Sequence, residues 1–190
     1  MNQPANRQQD DQLITRTLEG DREAFGDLVR KYQDRLYNGM VQVLRDEADA
    51  EDTVQEAFIL ALTKLDSFRG KSGFYTWLFR IAYNTAISRI RKRKPTTSLE
   101  NPATQTQLQL PSNQPGPDAG LVEHERAQTL MNALGQISDE HRHILILREM
   151  EEMDYSAISD VLGLPVGTVR SRLHRARLQL KEILESKLER

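Results

Sequence analysis

The sequence predicts an all-α protein of two small helical domains joined by a flexible linker. Apolar residues recur at spacings of three and four through most of the chain, which is the pattern of helices with one buried face. No segment alternates with period two between hairpin turns, so no sheet is expected. Residues 95–120 interrupt the helical pattern with five of the seven prolines and no aromatic residue, lysine or arginine. Such a segment cannot bury enough apolar surface to offset the entropy of ordering it.

The first domain is predicted over residues 11–94, after a disordered tail at residues 1–10. Asp21 and Asp46 are placed to cap helices, because each side chain can accept a hydrogen bond from a free backbone N–H group. Gly20 is a stop signal for the helix before it. The helices are expected at residues 11–19, 22–44, 47–65 and 75–94.

The second domain is predicted over residues 121–190 and is also helical. Ser138 and Asp154 are placed to cap helices, and Gly163 marks a turn. Pro165 suits the first position of the last helix, where the backbone needs no N–H group. The helices are expected at residues 121–137, from 139 through 150, 155–162 and 166–188.

The composition excludes several classes of protein. There is no cysteine, so disulfide scaffolds, zinc knuckles and thiol nucleophiles are excluded. The polar N-terminus lacks the apolar region of a signal peptide, and no apolar run approaches the ~20 residues of a membrane span. No phosphate loop, dinucleotide fingerprint or catalytic triad occurs, so no catalytic residue, cofactor or metal site is predicted. We expect a soluble cytoplasmic protein that is not an enzyme and does not insert into a membrane.

Opposite charges are concentrated in neighbouring segments, although the net charge is only −2. Residues 46–63 contain six acidic residues and no Lys or Arg, whereas residues 67–99 contain eight basic residues and no acid. Six of the eleven aromatic residues lie within residues 68–94. A surface that grips phosphates and stacks unpaired bases needs both basic and aromatic side chains. The structural alternative is an aromatic core beside a basic helix end that the helix dipole favours.

The fourth helix carries two stripes of different chemistry. Tyr75, Phe79 and Tyr83 form one stripe, which is expected to face the core. The other stripe mixes an aromatic residue with amide, hydroxyl and guanidinium groups, which is unusual for a core face. Its members are Trp77, Arg80, Asn84, Ser88 and Arg91. The glycine-containing loop 69–73 beside Trp77 could receive a flipped base, while Arg80 and the basic end of the helix hold the nucleic-acid backbone.

The third helix has an apolar stripe, which includes Leu62, and an acidic face. The pattern does not favour a metal site or a catalytic carboxylate pair there, because no histidine or glycine-rich loop is near. The remaining interpretations are a solvated face and a docking face for a basic partner. The residues of this acidic face are Asp49, Asp52, Gln55 and Glu56.

Residues 155–177, YSAISDVLGLPVGTVRSRLHRAR, predict a helix-turn-helix with its turn at Gly163. Arginine on the second helix can bond bidentately to guanine in the major groove, and its neighbours can bind phosphate. The alternative is a helical hairpin with a solvated basic face. The candidate DNA-contacting residues are Arg170, Ser171, Arg172, His174, Arg175 and Arg177.

Three motifs, in this order along the chain, resemble those of bacterial RNA polymerase sigma factors of the extracytoplasmic-function (ECF) class, within the sigma-70 family. They are DAEDTVQEAFILAL at 49–62, FRGKSGFYTWLFRIAYNTA at 68–86 and the helix-turn-helix at 155–177. The similarity extends over residues 10–94 and 121–188. It implies a region-2 domain, a tether in place of a region-3 domain, and a region-4 domain.

The resemblance implies a role for each surface. The acidic face would bind the clamp helices of the largest subunit of core RNA polymerase. Arg170, Ser171, His174 and Arg175 match the family's DNA-facing positions for the −35 element, and Asn84 stands where the family places a base-reading residue. The residues implied in melting and reading the −10 element are Arg69, Lys71, Ser72, Phe74, Tyr75, Trp77, Arg80, Asn84, Ser88 and Arg91.

The resemblance also implies partners and regulation. Besides core polymerase and promoter DNA, it implies an anti-sigma factor, often membrane-anchored, and a role in an envelope or other stress response. Two positions depart from the family pattern: Ser159 replaces the usual Ala of a helix-turn-helix, and residues 70–74 read GKSGF rather than GDSAF. The resemblance therefore implies no particular promoter sequence.

Two other functions fit parts of the chain. A conventional helix-turn-helix regulator that binds duplex DNA by itself explains residues 155–177. It gives no role to the acidic helix or to residues 68–94. An adaptor that binds single-stranded nucleic acid would use residues 68–94 and would have no part in transcription.

Overall fold

The structure, a computed structural model, describes residues 3–93 and 129–188. No strand occurs in these two ranges, so the predicted all-α class is confirmed. The described residues fall into two compact units. The predicted linker, residues 95–120, lies outside the described residues, and so do residues 121–128 of the helix expected after it.

Four helices form the first unit: α1 (Gln3–Leu18), α2 (Arg22–Leu44), α3 (Glu47–Thr63) and α4 (Phe74–Arg93). A 3₁₀ turn, Leu65–Ser67, follows α3 and leads into the loop before α4. Helix α2 packs against α1, α3 and α4, and α3 packs against α4. The core contains large side chains with almost no exposed surface, among them Leu28, Leu36, Met40, Leu65, Leu78 and Phe79.

Both predicted caps of the first unit are present. The Asp21 carboxylate accepts hydrogen bonds from the N–H groups of Glu23 (3.0 Å) and Ala24 (3.3 Å). A hydrogen bond from Arg16, followed by the bond from Ala24, lowers the pKa of Asp21. The Asp46 carboxylate accepts from the N–H group of Asp49 at 2.8 Å. These bonds satisfy backbone donors that have no partner within the helix.

Helix α1 begins at Gln3, in contrast to the disordered tail predicted for residues 1–10. Asp10 is only 5% exposed and accepts hydrogen bonds from the Lys31 ammonium and the Tyr32 hydroxyl, each at 2.6 Å. Burial, and then the bond to Asp10, raise the pKa of Tyr32. Arg7 donates to the Gly70 carbonyl at 2.5 Å. These partners are distant in sequence, so the polar composition of the segment did not reveal its packing.

The second unit contains α5 (residues 129–134), α6 (Asp139–Leu145), most of α7 (Tyr155–Leu162) and α8 (Val166–Leu188). Helix α6 continues into a π-helical turn, Ile146–Met150, and α6 packs against α8. The predicted caps are present: the Ser138 hydroxyl accepts from the His141 N–H group (3.4 Å), and Asp154 accepts from Ala157 (2.8 Å). Across both units, no described helix is long and apolar enough to cross a membrane.

Candidate nucleic-acid and partner interfaces

The aromatic residues at the start of α4 form a buried cluster. Trp77 is 8% exposed, and its ring centroid lies 5.3 Å from that of Phe68 and 5.8 Å from that of Phe74. The prediction that Trp77 lies on the exposed stripe is therefore wrong. Helical spacing alone did not show that Phe68, in the preceding loop, covers this side of α4.

Phe74 and Tyr75 are also buried. The stripe pattern predicted Tyr75 in the core, whereas the resemblance implied that both residues help to read the −10 element. The Tyr75 ring stacks on Tyr32 of α2 with centroids 5.4 Å apart, and the Arg35 guanidinium lies 4.2 Å from the Tyr75 centroid. These rings hold the first turn of α4 against α2. Because they are buried, they pack below the protein surface and are not available to stack on nucleic-acid bases.

The polar part of the predicted stripe is exposed. Arg80, Asn84, Ser88 and Arg91 all lie on the solvent side of α4. In the preceding loop Arg69 and Lys71 are exposed and Ser72 is half-buried. Gly70 has φ +64°, a left-handed conformation that glycine adopts without strain. We call these seven side chains the loop–α4 surface: Arg69, Lys71, Ser72, Arg80, Asn84, Ser88 and Arg91.

The predicted acidic face on α3 is also at the surface. Asp52, Gln55 and Glu56 are exposed and Asp49 is half-buried. Arg89 of α4 reaches across to this face, donating to Asp52 at 3.1 Å and to Glu56 at 2.8 Å. These bonds, with Glu56 contributing most, raise the pKa of Arg89. Within residues 3–93 and 129–188, no group of His, Asp and Glu side chains is arranged to hold a metal ion.

Two large apolar side chains extend the acidic face toward the end of α3. Ile59 is 64% exposed and Leu62 is 49% exposed. Leu62 was predicted to join the buried stripe, but α3 leaves it at the surface. Together with Gln55 and Glu56 these residues follow the three-and-four spacing of one helix face. An exposed apolar pair beside carboxylates is suited to a partner that offers both apolar and basic groups.

The predicted helix-turn-helix is present in α7 and α8. Gly163 has φ +66°, which turns the chain between the two helices. The Ser159 hydroxyl donates to the Leu164 carbonyl across this turn, so the serine at the usual alanine position forms a bond within the motif. Apolar side chains from both helices are buried, including Ile158, Val169 and Leu173.

The six candidate DNA-contacting residues of α8 separate into two groups. Arg170, Ser171, His174 and Arg175 are exposed. Arg172 is half-buried and pairs with Glu140 at 3.2 Å, and Arg177 is exposed and pairs with Glu149 at 2.6 Å. The last two were predicted to face DNA, but both are engaged with acidic residues at α6 and the following π-helical turn. The distance between these acids and α8 cannot be read from the sequence, so sequence reasoning could not separate the two groups.

Two family models match the chain: Sigma-70 region 2 over residues 28–96 and Sigma-70, region 4 over residues 127–180. The ECF RNA polymerase sigma factor SigW of Bacillus subtilis is 35% identical over 176 residues, which cover 90% of this chain and 94% of SigW. The ECF RNA polymerase sigma-E factor of Escherichia coli K12 is 38% identical over 176 residues, which cover 88% and 90% of the two chains. The chain belongs to the ECF RNA polymerase sigma factors.

Solved structures of sigma factors share the fold. CnrH in complex with the cytosolic domain of CnrY matches with a TM-score of 0.66 and 27% identity, covering 96% of this sigma factor and 99% of CnrH. The sigma factor RpoE of Bartonella quintana, in complex with the anti-sigma factor NepR, matches with a TM-score of 0.67 and 26% identity, covering 85% and 96%. The family predicted from the three motifs is confirmed.

The two matched regions of this sigma factor contain the surfaces described above. The region-2 match includes the acidic face and the loop–α4 surface, and the region-4 match includes the exposed side of α8 through residue 180. Helix α1 precedes the region-2 match, so Arg7 and Asp10 lie outside it. The roles of individual side chains stay predictions.

Proposed function

We propose that this sigma factor binds core RNA polymerase through α3 and directs promoter-specific initiation of transcription through α4 and α8. The observation that carries the proposal is the distribution of charge among exposed surfaces. Acidic and apolar side chains share the outer face of α3, whereas arginines occupy the outer faces of α4 and α8. A single DNA-binding surface would not require this division.

Helix α3 supplies the polymerase contact. Asp52, Gln55 and Glu56 are exposed on consecutive turns, and Ile59 and Leu62 continue the same face. Carboxylates attract a basic partner and fix its orientation, while desolvated apolar side chains contribute most to affinity. The partner expected from this chemistry is a surface with basic and apolar residues, and the resemblance identifies it as the clamp helices of the largest subunit.

Helix α8 supplies the −35 contact. Its exposed side presents Arg170, Ser171, His174 and Arg175 to the major groove, where arginine reads guanine by two hydrogen bonds. Arg172 is half-buried against Glu140 and lies outside this reading surface, whereas Arg177 is exposed and its surface ion pair with Glu149 leaves it a candidate phosphate contact.

The loop–α4 surface supplies the −10 contact. Its arginines and Lys71 bind the phosphates of the opened strand, and Asn84 is placed to hydrogen-bond an unpaired base. Trp77 and its aromatic neighbours support this surface without stacking on bases, because their rings are buried. Base selection therefore rests on hydrogen bonds more than on aromatic stacking.

Regulation by an anti-sigma factor completes the proposal. RpoE was solved with the anti-sigma factor NepR, and CnrH with the cytosolic domain of CnrY. By analogy, an anti-sigma factor, of the soluble or the membrane-anchored kind, holds this sigma factor inactive. An envelope or other stress response releases it. The tether 95–120 keeps both domains near polymerase, so the second contact forms at high effective concentration.

Run-off transcription on genomic DNA tests this function. Purified core polymerase is incubated with and without the sigma factor, and the 5′ ends of the transcripts are sequenced. The proposal predicts a small set of 5′ ends that appear only with both proteins and share two upstream motifs. Binding to duplex DNA without polymerase, with no new 5′ ends, would instead identify a conventional helix-turn-helix regulator.

A further inference from the structure

Arg89 of α4 joins two carboxylates that lie one turn apart on α3. Its Nη1 donates to Asp52 Oδ2 at 3.1 Å, and its Nη2 and Nε donate to Glu56 Oε2 at 2.8 and 3.3 Å. The Arg89 side chain is only 29% exposed, whereas both carboxylates remain open to solvent. The guanidinium therefore lies behind the acidic face and leaves the face accessible.

Each carboxylate uses one oxygen for Arg89. A carboxylate has two oxygens and about four acceptor sites, so Asp52 Oδ1 and Glu56 Oε1 can still accept hydrogen bonds from a partner. One planar guanidinium bonds both side chains at once and so fixes their separation. Lysine has a single flexible ammonium group and does not impose this geometry.

We propose that Arg89 is a positioning residue for core polymerase, holding Asp52 and Glu56 in the arrangement that basic side chains of the clamp engage. This inference rests on the proposed function of the acidic face. Two acidic side chains that are already ordered lose less conformational entropy when the partner binds. The bridge also neutralises part of the acidic charge, so the inference requires that the gain in order exceed this loss.

The bridge contributes little to folding by itself. Asp52 and Glu56 are exposed, so solvent screens their pairing with Arg89 and its net effect on stability is small. From the sequence, Arg89 was only one of several basic residues near the end of α4. Its contact with α3 spans 33 and 37 residues, which gives it a role that the neighbouring bases do not share.

The test measures the affinity of labelled full-length sigma factor for core polymerase. Arg89→Gln is expected to weaken binding on the order of 10-fold, mainly through faster dissociation. Lys92→Gln is the matched control: it removes one positive charge from an exposed position on the same helix, and we expect wild-type affinity. Arg89→Lys is expected to recover only part of the loss. Full recovery would show that charge alone suffices and would overturn the inference.

A double-mutant cycle separates positioning from a general structural effect. In the Asp52→Asn, Glu56→Gln background, Arg89→Gln is expected to cause no further loss, because there are no charged side chains left to position. A loss of the same size in both backgrounds would overturn the inference. If the Asp52→Asn, Glu56→Gln variant binds core polymerase normally, the proposed polymerase face is wrong. If that variant is weakened but Arg89→Gln is not, only the positioning role is wrong.

Discussion

The guanidinium of Arg170 lies 5.7 Å from the centre of the Tyr155 ring. This contact links the exposed side of α8 to the first residue of α7. Arg148 lies 5.4 Å from the same ring centre, and it also donates to the Met153 carbonyl at 2.8 Å. Tyr155 is thus contacted by two arginines, one held by a backbone carbonyl and the other available to DNA. The ring restricts Arg170 before DNA is bound.

The contact between Tyr155 and Arg170 predicts a measurable effect on promoter binding. Tyr155→Leu should weaken binding of the holoenzyme to a −35 duplex by about 0.5–1 kcal/mol, the usual range of an exposed cation–π contact. Tyr155→Phe keeps the aromatic ring and should bind like the wild type. Fluorescence anisotropy with a labelled duplex measures both. Equal losses in the two variants would show that the hydroxyl, and not the ring, is responsible.

Gly163 and Gly167 should respond in opposite ways to the same substitution. Gly163 has φ +66°, so Gly163→Ala should lower the free energy of unfolding by about 1–2 kcal/mol. Gly167 lies within α8, and a Cβ added there meets no atom within 4 Å. Gly167→Ala should therefore raise the free energy of unfolding by up to about 1 kcal/mol, because alanine favours helix. Urea unfolding measures both, and destabilisation by Gly167→Ala would contradict the helix assignment.

The exposed apolar pair on α3 predicts a binding defect without a folding defect. Ile59→Ser should weaken core polymerase binding by more than about 1 kcal/mol if Ile59 fills an apolar site on the partner. Leu18→Ser removes a similarly exposed apolar side chain from α1 and should leave the affinity unchanged. Titration of labelled sigma factor with core polymerase compares them. Equal effects of the two substitutions would argue against a specific role for the α3 face.

The buried carboxylate of Asp10 should contribute to folding of the first domain. Asp10→Ala removes the acceptor of the buried Tyr32 hydroxyl and the ion-pair partner of Lys31, and the loss should cost about 1–3 kcal/mol. Asp11→Ala changes an exposed side chain on the same helix and should have little effect. Urea unfolding gives the difference in stability. A neutral Asp10→Ala variant would support the disordered tail predicted from sequence.

Signals that act over a few residues were predictable from the sequence. Asp21, Asp46, Ser138 and Asp154 cap their helices because each bonds a backbone N–H group two or three residues ahead. Gly163 marks the helix-turn-helix because only a left-handed residue closes that turn without strain. The motifs built on these local signals were sufficient to identify the family.

Features that depend on distant partners were not predictable. Trp77 shares helical spacing with exposed residues, but Phe68 covers it from the preceding loop. Arg172 carries the same charge as Arg175, yet only the fold shows that Arg172 pairs with Glu140 while Arg175 is exposed. Arg89 was indistinguishable from its basic neighbours until α3 and α4 were placed side by side. The sequence therefore indicated the surfaces on α3, α4 and α8, but only the fold shows which side chains are exposed on each of them.

The central claim is that polymerase binding and promoter reading use different surfaces. Its most direct test is the affinity for core polymerase of two variants, Asp52→Asn with Glu56→Gln, and Arg175→Ala. The account predicts that the first variant loses about 10-fold or more in affinity for core polymerase. The second should bind core polymerase normally but lose about 1–3 kcal/mol at one base of the −35 duplex, with little loss on scrambled duplex. Equal affinity of both variants for core polymerase would contradict the account.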